Sequence, residues 1–246
     1  MATASRSFVG GMADRANPAF AAGVVAVPLV ALAYGVTAGP LRHLMYVHVM
    51  AGVLWTGIDL FLGLVLGPVI GGLSTEEKAS VFRRLTPKTT FLMPSLALVT
   101  VFGGVTLAER LGKFPHAEPW IALMSTAISL PVILLVARQF GALTDRRTLT
   151  VFGVAGVGHA AWLFRTLPEF AMTDHEIAAA LGIVTALSIL GFGVLLPGEV
   201  RMYREMTTAN PDEELIGAIG MRNAKLAGVQ GALQLAIIFV MVYVRF

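Results

Sequence analysis

The sequence predicts an all-α, polytopic transmembrane bundle of seven spans in a single domain, residues 1–246, with its N-terminus inside and its C-terminus outside. Three observations predict it. The chain is 56% hydrophobic and 13% charged, against about 25% charged residues in an average soluble domain, so it cannot cover a water-facing surface. Crossing a bilayer takes roughly 20 apolar residues, and such runs occur at about 18–38, 43–70, 89–109, 118–138, 148–167, 177–197 and 225–244. Finally, seven spans place Arg42, Arg110, Lys113, Arg165 and Arg245 on one side and the other thirteen Lys and Arg, Arg6 and Arg15 among them, on the opposite side. Short cytoplasmic loops collect positive charge, so the thirteen mark the inside.

The first run follows Arg6 and Arg15 and ends in small residues, as a cleaved signal would. A signal core is usually 7–15 residues; this one is nearer twenty, which favours a retained span. The second run carries Gly63, Gly67 and Gly71 at four-residue spacing, a stripe that lets another helix approach closely. After it, Ser74-Thr-Glu-Glu77 reads as a capping box, and Val81, Phe82 and Leu85 among Lys78, Arg83 and Arg84 predict a short amphipathic helix over Leu73–Pro87 at the inner headgroups. The fourth run contains Pro131, which predicts a kink. The fifth is the weakest, because it carries His159 and Arg165. Deleting it moves Arg201, Arg204, Arg222 and Lys225 outside and Arg165 and Arg245 inside, leaving eleven against seven, so the charge bias favours keeping it. Glu199–Asn223 predicts the longest inner loop, with Asn210-Pro-Asp as a turn and Asp212-Glu-Glu214 suited to a following helix N-terminus. The last run carries Gln230 and Gln234 one turn apart, lining a polar interior or bridging helices.

Several function classes are excluded or disfavoured. With no cysteine, the chain has no disulfide, thiolate metal site or covalent c-type haem. A pI near 9.5 is accounted for by inner loops facing anionic lipid, so no nucleic-acid partner is expected. Gly153-Val-Ala-Gly156-Val-Gly158 lies inside a span, follows no strand and lacks dinucleotide-binding spacing. No Ser–His–Asp set or standard zinc signature is present, no inverted repeat is visible, and no enzyme class is assigned.

The chemistry candidates are intramembrane. All five histidines fall on the outer side. His48 lies about one turn below the outer surface. Asp59, eleven residues on, faces the same way some 16 Å deeper, with Gly52 and Trp55 between them on that stripe. Asp59 therefore needs its own partner or a proton. His159 lies slightly beyond mid-depth on the fifth span, with Trp162 one turn on and Arg165 near the exit. His48 and His159 at comparable depth would make a haem b site, one nitrogen from each ring, or a copper site completed by Met172 or an outer carboxylate. Trp55 and Trp162 would flank that cofactor, and Arg165 would suit a haem propionate. His43, His116 and His175, with Glu169, Asp174 and Glu176, form a weaker outer metal-capture patch.

The stretch Tyr46-Val-His48-Val-Met-Ala-Gly52-Val-Leu-Trp55-Thr-Gly57 resembles the His–Gly–Trp–Gly helix of a group of small prokaryotic membrane proteins. That group includes the copper-resistance D-type proteins and the HemJ-type protoporphyrinogen oxidases. The resemblance covers about twelve residues and implies a few-helix bundle in which His48 is a ligand for haem or copper. The expectation is a cytoplasmic-membrane protein of a prokaryote that binds haem b or copper in its outer half, for membrane electron transfer or metal handling, with Asp59 relaying protons or tuning the charge. Two alternatives stand beside it. One is a cofactor-free accessory or assembly subunit, bound to a membrane-complex partner or to copies of itself. The other is a proton-coupled small-solute transporter centred on Asp59.

Overall fold

Ser7 opens the described part of this computed structural model, residues 7–245, and its hydroxyl caps α1 (Phe8–Ala16) by accepting the Gly10 N–H. Arg6 lies outside the described residues, as does the side chain of Arg245. Asn17, at φ 79°, turns the chain into α2 (Pro18–Thr37) and accepts the N–H groups of Ala19 and Phe20. There follow α3 (Leu41–Gly71), α4 (Thr75–Arg110), α5 (Ala117–Gln139), α6 (Arg146–Thr166), α7 (His175–Met206) and α8 (Glu213–Arg245), with no strand among the described residues. Helices α2, α3, α4, α5, α7 and α8 are long and apolar enough to cross a bilayer. The outward faces carry large apolar side chains such as Val30, Leu64, Phe102 and Phe239, more than a water-soluble surface exposes in one band. This is a multi-pass membrane protein with lipid around it.

Two hairpins, α3–α4 and α7–α8, form the centre. Each packs within itself, α8 lies against both α3 and α4, and α7 lies against α4. Helix α2 covers α3 and α4, α5 covers α7, and α6 lies on α5. At the end where the basic loops gather, Ile70, Phe82, Met202, Met206, Ile216 and Ile219 pack together, and Arg83 pairs with Glu213. At the opposite end Phe114, Ala117, Ile177 and Leu181 pack. There Arg110 donates to the carbonyls of Gly35, Val36 and Gly39 at the C-terminus of α2, where a cation also meets the helix dipole favourably.

The hairpins share a plan. In α3 the α-helix widens to a π segment over Phe61–Leu66, and in α7 over Gly191–Leu195. A proline follows each segment within two residues (Pro68 and Pro197), and each next helix opens with a paired acid in its first turn, Glu76-Glu77 or Glu213-Glu214. The second segment's carbonyls are taken from outside: Gln139 donates to those of Gly193 and Val194, and Asn223 to that of Leu195. Helix α3 crosses α8 where Gly63 meets Gly228, with Gly67 over Ala224 and Gly71 over Met221. The glycine stripe is thus a helix-packing seam, as its spacing predicts.

Two local expectations need correction. The amphipathic segment Leu73–Pro87 is not a separate helix. The capping box forms, with Ser74 and Glu77 bonded reciprocally, but it starts α4, which runs unbroken through Pro87 and Pro94. At 1.5 Å per residue that helix is about 54 Å long, so its first part projects beyond a hydrocarbon core about 30 Å thick and packs on α7 and α8. The predicted loop Glu199–Asn223 is mostly helical for the same reason: α7 ends at Met206 and α8 begins at Glu213, leaving 207–212 as the connection. Pro131 lies within α5, which is continuous from Ala117 to Gln139.

Helix α6, the fifth predicted span, is not among the helices apolar enough by composition to cross. It begins just after Phe140, whose ring lies under Arg204 at the basic end. It ends where Arg165 pairs with Glu118 at the start of α5, and Trp120 donates to the Ala171 carbonyl just beyond. It therefore returns the chain along the full length of α5.

Candidate functional site

Asp59, on α3 two residues before the π segment, is 1% exposed. The side-chain amides of Gln230 and Gln234, one turn apart on α8, both donate to its Oδ2 at 2.9 Å. A second carboxylate, Glu199, stands four residues after the π segment of α7 and accepts from Thr89 at 2.7 Å and Thr90 at 2.8 Å, both on α4. The bracing is reciprocal: the first hairpin's carboxylate is held by the second hairpin's long helix, and the second's by the first's. Among the described residues no Lys or Arg forms an ion pair with either.

The two carboxylates face one cavity. It has a volume of about 90 Å³ and takes Asp59, Glu199, Gln230, Ser188, Asn223 and Thr89 as polar lining. Further toward the opposite end lies a second, larger cavity of about 260 Å³, lined by Gln234, His48, Thr56 and Thr100 among apolar side chains. Trp55 and Leu187 border both. Asp59, Gln230 and Gln234 thus form a polar septum between the two chambers. The outward oxygens, Gln230 Oε1 and Gln234 Oε1, are buried without a protein partner.

His48 lines the larger cavity. Its Nδ1 lies 2.8 Å from the Thr100 carbonyl, so Nδ1 carries the proton and Nε2 is left as the acceptor or ligand nitrogen. Room for the ring comes from Gly104, where a Cβ would sit 2.8 Å from His48 Cε1.

The structure does not bring the second histidine to the first. His159 is on α6, stacked with Trp162 at 6.4 Å between centroids, and α6 packs on α5, on the far side of α7 from α3. No residue of α6 lines the His48 cavity. Arg165 is mostly exposed and paired with Glu118. The two-histidine haem or copper site, with Trp162 and Arg165 beside it, is therefore not assembled, because α5 and α7 intervene. Met172 is exposed, and no group of three or more His, Cys, Asp or Glu residues is placed to hold a metal among the described residues. The outer patch of His43, His116 and His175 is accordingly not built.

Asp59 and Trp55 stand where the sequence places them, with Gln230 and Gln234 as the partners that Asp59 requires. Glu199 is the cavity-lining carboxylate that sequence reasoning missed. Its signal was faint: a carboxylate four residues inside a proline-marked helix continuation, at the depth of the Thr89-Thr90 pair. The chain matches no protein-family model, no curated protein and no solved structure.

Proposed function

We propose that this chain is a proton-coupled carrier of a small solute, with Asp59 as the coupling carboxylate, in the cytoplasmic membrane of a prokaryote. The observation that carries the reading is the position of Asp59 in a septum between two chambers set toward opposite ends of the bundle. A carboxylate at bilayer depth costs about 2.5–3.5 kcal/mol to insert. Amide donors offset part of that cost, and a transferable proton offsets more. Two π segments in the helices that bear the carboxylates support the reading, since π-bulges concentrate at functional sites. The repeated hairpins also support it. They run in the same direction, as in transporters built from parallel repeats, which is why a search for an inverted repeat finds nothing.

The carrier has seven spans, N-terminus inside and C-terminus outside. Helix α6 returns the chain from one end of α5 to the other, and its outward face is apolar, with Leu149, Val151, Val154, Val157 and Phe164 exposed. Those residues suit lipid, while the helix average is lowered by Arg146, Arg147, His159 and Arg165 near its ends and on its flank.

Proteoliposomes loaded with a pH indicator test the function. Under an imposed gradient, at least one solute of a chemically broad panel should accelerate proton entry through the wild-type protein and not through Asp59→Asn. Indistinguishable traces from the two proteins across the panel refute the coupling. A second reading is favoured by one observation: with Nδ1 engaged by Thr100, His48 presents Nε2 as a lone haem b or copper ligand. A reduced visible spectrum with a sharp band near ~560 nm that is lost in His48→Ala would support haem there; copper that co-purifies with wild type but not with that variant would support copper. A featureless spectrum and no bound copper would refute it.

A further inference from the structure

We infer that the larger cavity binds an apolar molecule carrying a hydroxyl donor, of about the bulk of an alkylated phenol, which reaches it from the bilayer. The inference rests on the carrier reading only in making that molecule the transported solute; the binding site stands on its own geometry.

Size comes first. A cavity of about 260 Å³ exceeds the ~150 Å³ that suffices for a benzene ring, so a substituted ring fits. Its walls are mostly apolar, chiefly valine, leucine, isoleucine and alanine with Phe114, Trp55 and Met241, and no Asp, Glu, Lys or Arg lines it. An ion would find no countercharge there, and a sugar-like solute would leave most of its hydroxyls unpaired at about 1–3 kcal/mol each.

The unspent polar groups are few. Gln234, 2% exposed, spends its amide N–H on Asp59 and leaves Oε1 buried with no partner. His48, with Nδ1 donating to Thr100, offers Nε2 as a lone pair. Both are acceptors, and the Trp55 indole N–H, also buried with no partner, borders the cavity as a donor. A hydroxyl group can serve either kind, whereas an ether or a ketone can only accept and leaves Gln234 and His48 unpaired. Because Gln234 also holds Asp59, a hydroxyl bound at Oε1 is one residue away from the coupling carboxylate.

The route is lateral. Val49 and Val53 of α3 and Ile238 of α8 line the cavity and are also surface-exposed. The mouth therefore lies between α3 and α8 on the lipid-facing flank, beyond their crossing at Gly63 and Gly228.

The test is saturable binding of three matched probes, 4-tert-butylphenol, its methyl ether and tert-butylbenzene. Each is measured by dialysis of the full-length protein in nanodiscs against empty nanodiscs of the same lipid. The phenol should bind about tenfold more tightly than the other two, the value of one buried hydrogen bond. That advantage should shrink in Gln234→Met and in His48→Phe, which give independent readings should either variant fold poorly. Equal binding of all three probes overturns the inference and makes the cavity a seat for lipid chains. No binding above that of empty nanodiscs overturns it outright. Phenol binding by the wild-type protein while no solute moves protons through it refutes the carrier and keeps the site. Proton movement with other solutes and no phenol binding does the reverse.

Discussion

Replacing Gly63 by alanine probes the joint on which the site depends. A Cβ at position 63 would lie 2.2 Å from the Gly228 Cα and 2.4 Å from its backbone nitrogen, whereas ordinary contact begins at 3.4 Å. The obstacle is backbone, so no side chain can swing aside; α3 and α8 must part by more than an ångström. Overpacking of this kind costs about 1–3 kcal/mol, only partly offset by the gain of up to about 1 kcal/mol for alanine over glycine in a helix. The reverse change is milder, since a Cβ at Gly228 would meet the Gly63 Cα at 3.3 Å. Gly57, with nothing within 4 Å of its would-be Cβ, is the control. Unfolding of the purified protein in mixed micelles should rank Gly63→Ala well below wild type, Gly228→Ala near it and Gly57→Ala at or above it. Because Gln230 and Gln234 ride on α8, Gly63→Ala should also weaken the hold on Asp59 and lower the proton coupling. If Gly63→Ala proves as stable as Gly57→Ala, the close crossing is not real, and the septum built on it loses its support.

Two further outcomes follow from the same structure. Replacing both Thr89 and Thr90 by valine removes two hydroxyl donors from the buried Glu199. Hydrogen bonds to a charged group contribute about 1.5 kcal/mol or more apiece, so the double variant should lose about 3 kcal/mol in the same micelle assay. Adding Glu199→Met should restore part of that loss; a double variant within experimental error of wild type would show that the hydroxyls do not hold the carboxylate. For topology, the absence of native cysteine makes single introduced cysteines clean reporters. Asp145→Cys and Met172→Cys, at the two ends of α6, should react with a membrane-impermeant maleimide from opposite sides of intact vesicles, and labelling from the same side would reduce the spans to six.

The membrane-crossing helices were legible because the bilayer enforces one rule, a long apolar run with its backbone satisfied internally. The helical continuations were not, since Lys78, Arg83, Arg84, Arg201 and Arg204 give those segments the polarity of loops. What keeps them helical is tertiary: Phe82, Met202, Met206 and Ile216 bury one another, a contact that joins Phe82 to residues more than a hundred positions further along the chain. The same distance effect governed the site. Asp59 was conspicuous from its depth, and the Gln230–Gln234 pair from its spacing, but that they meet is a property of the α3–α8 crossing. His159 misled because depth along a helix can be read from sequence while position around the bundle cannot; α6 sits outside α5, away from His48. Glu199 escaped notice because its polarity placed it in the imagined loop.

The reciprocal bracing gives the two carboxylates a shared mechanical meaning. Asp59 belongs to the α3–α4 hairpin and is bonded to α8; Glu199 belongs to the α7–α8 hairpin and is bonded to α4. Any rocking of one hairpin against the other strains both sets of bonds together. A carboxylate that takes up a proton becomes a poorer acceptor for its donors, so on the proposed carrier reading protonation would loosen the brace between the hairpins. The glycine contact at Gly63 and Gly228 lies near that brace and presents backbone to backbone. On the proposed carrier reading, the parallel hairpins and the two carboxylate braces between them are the elements that alternating access would move against one another.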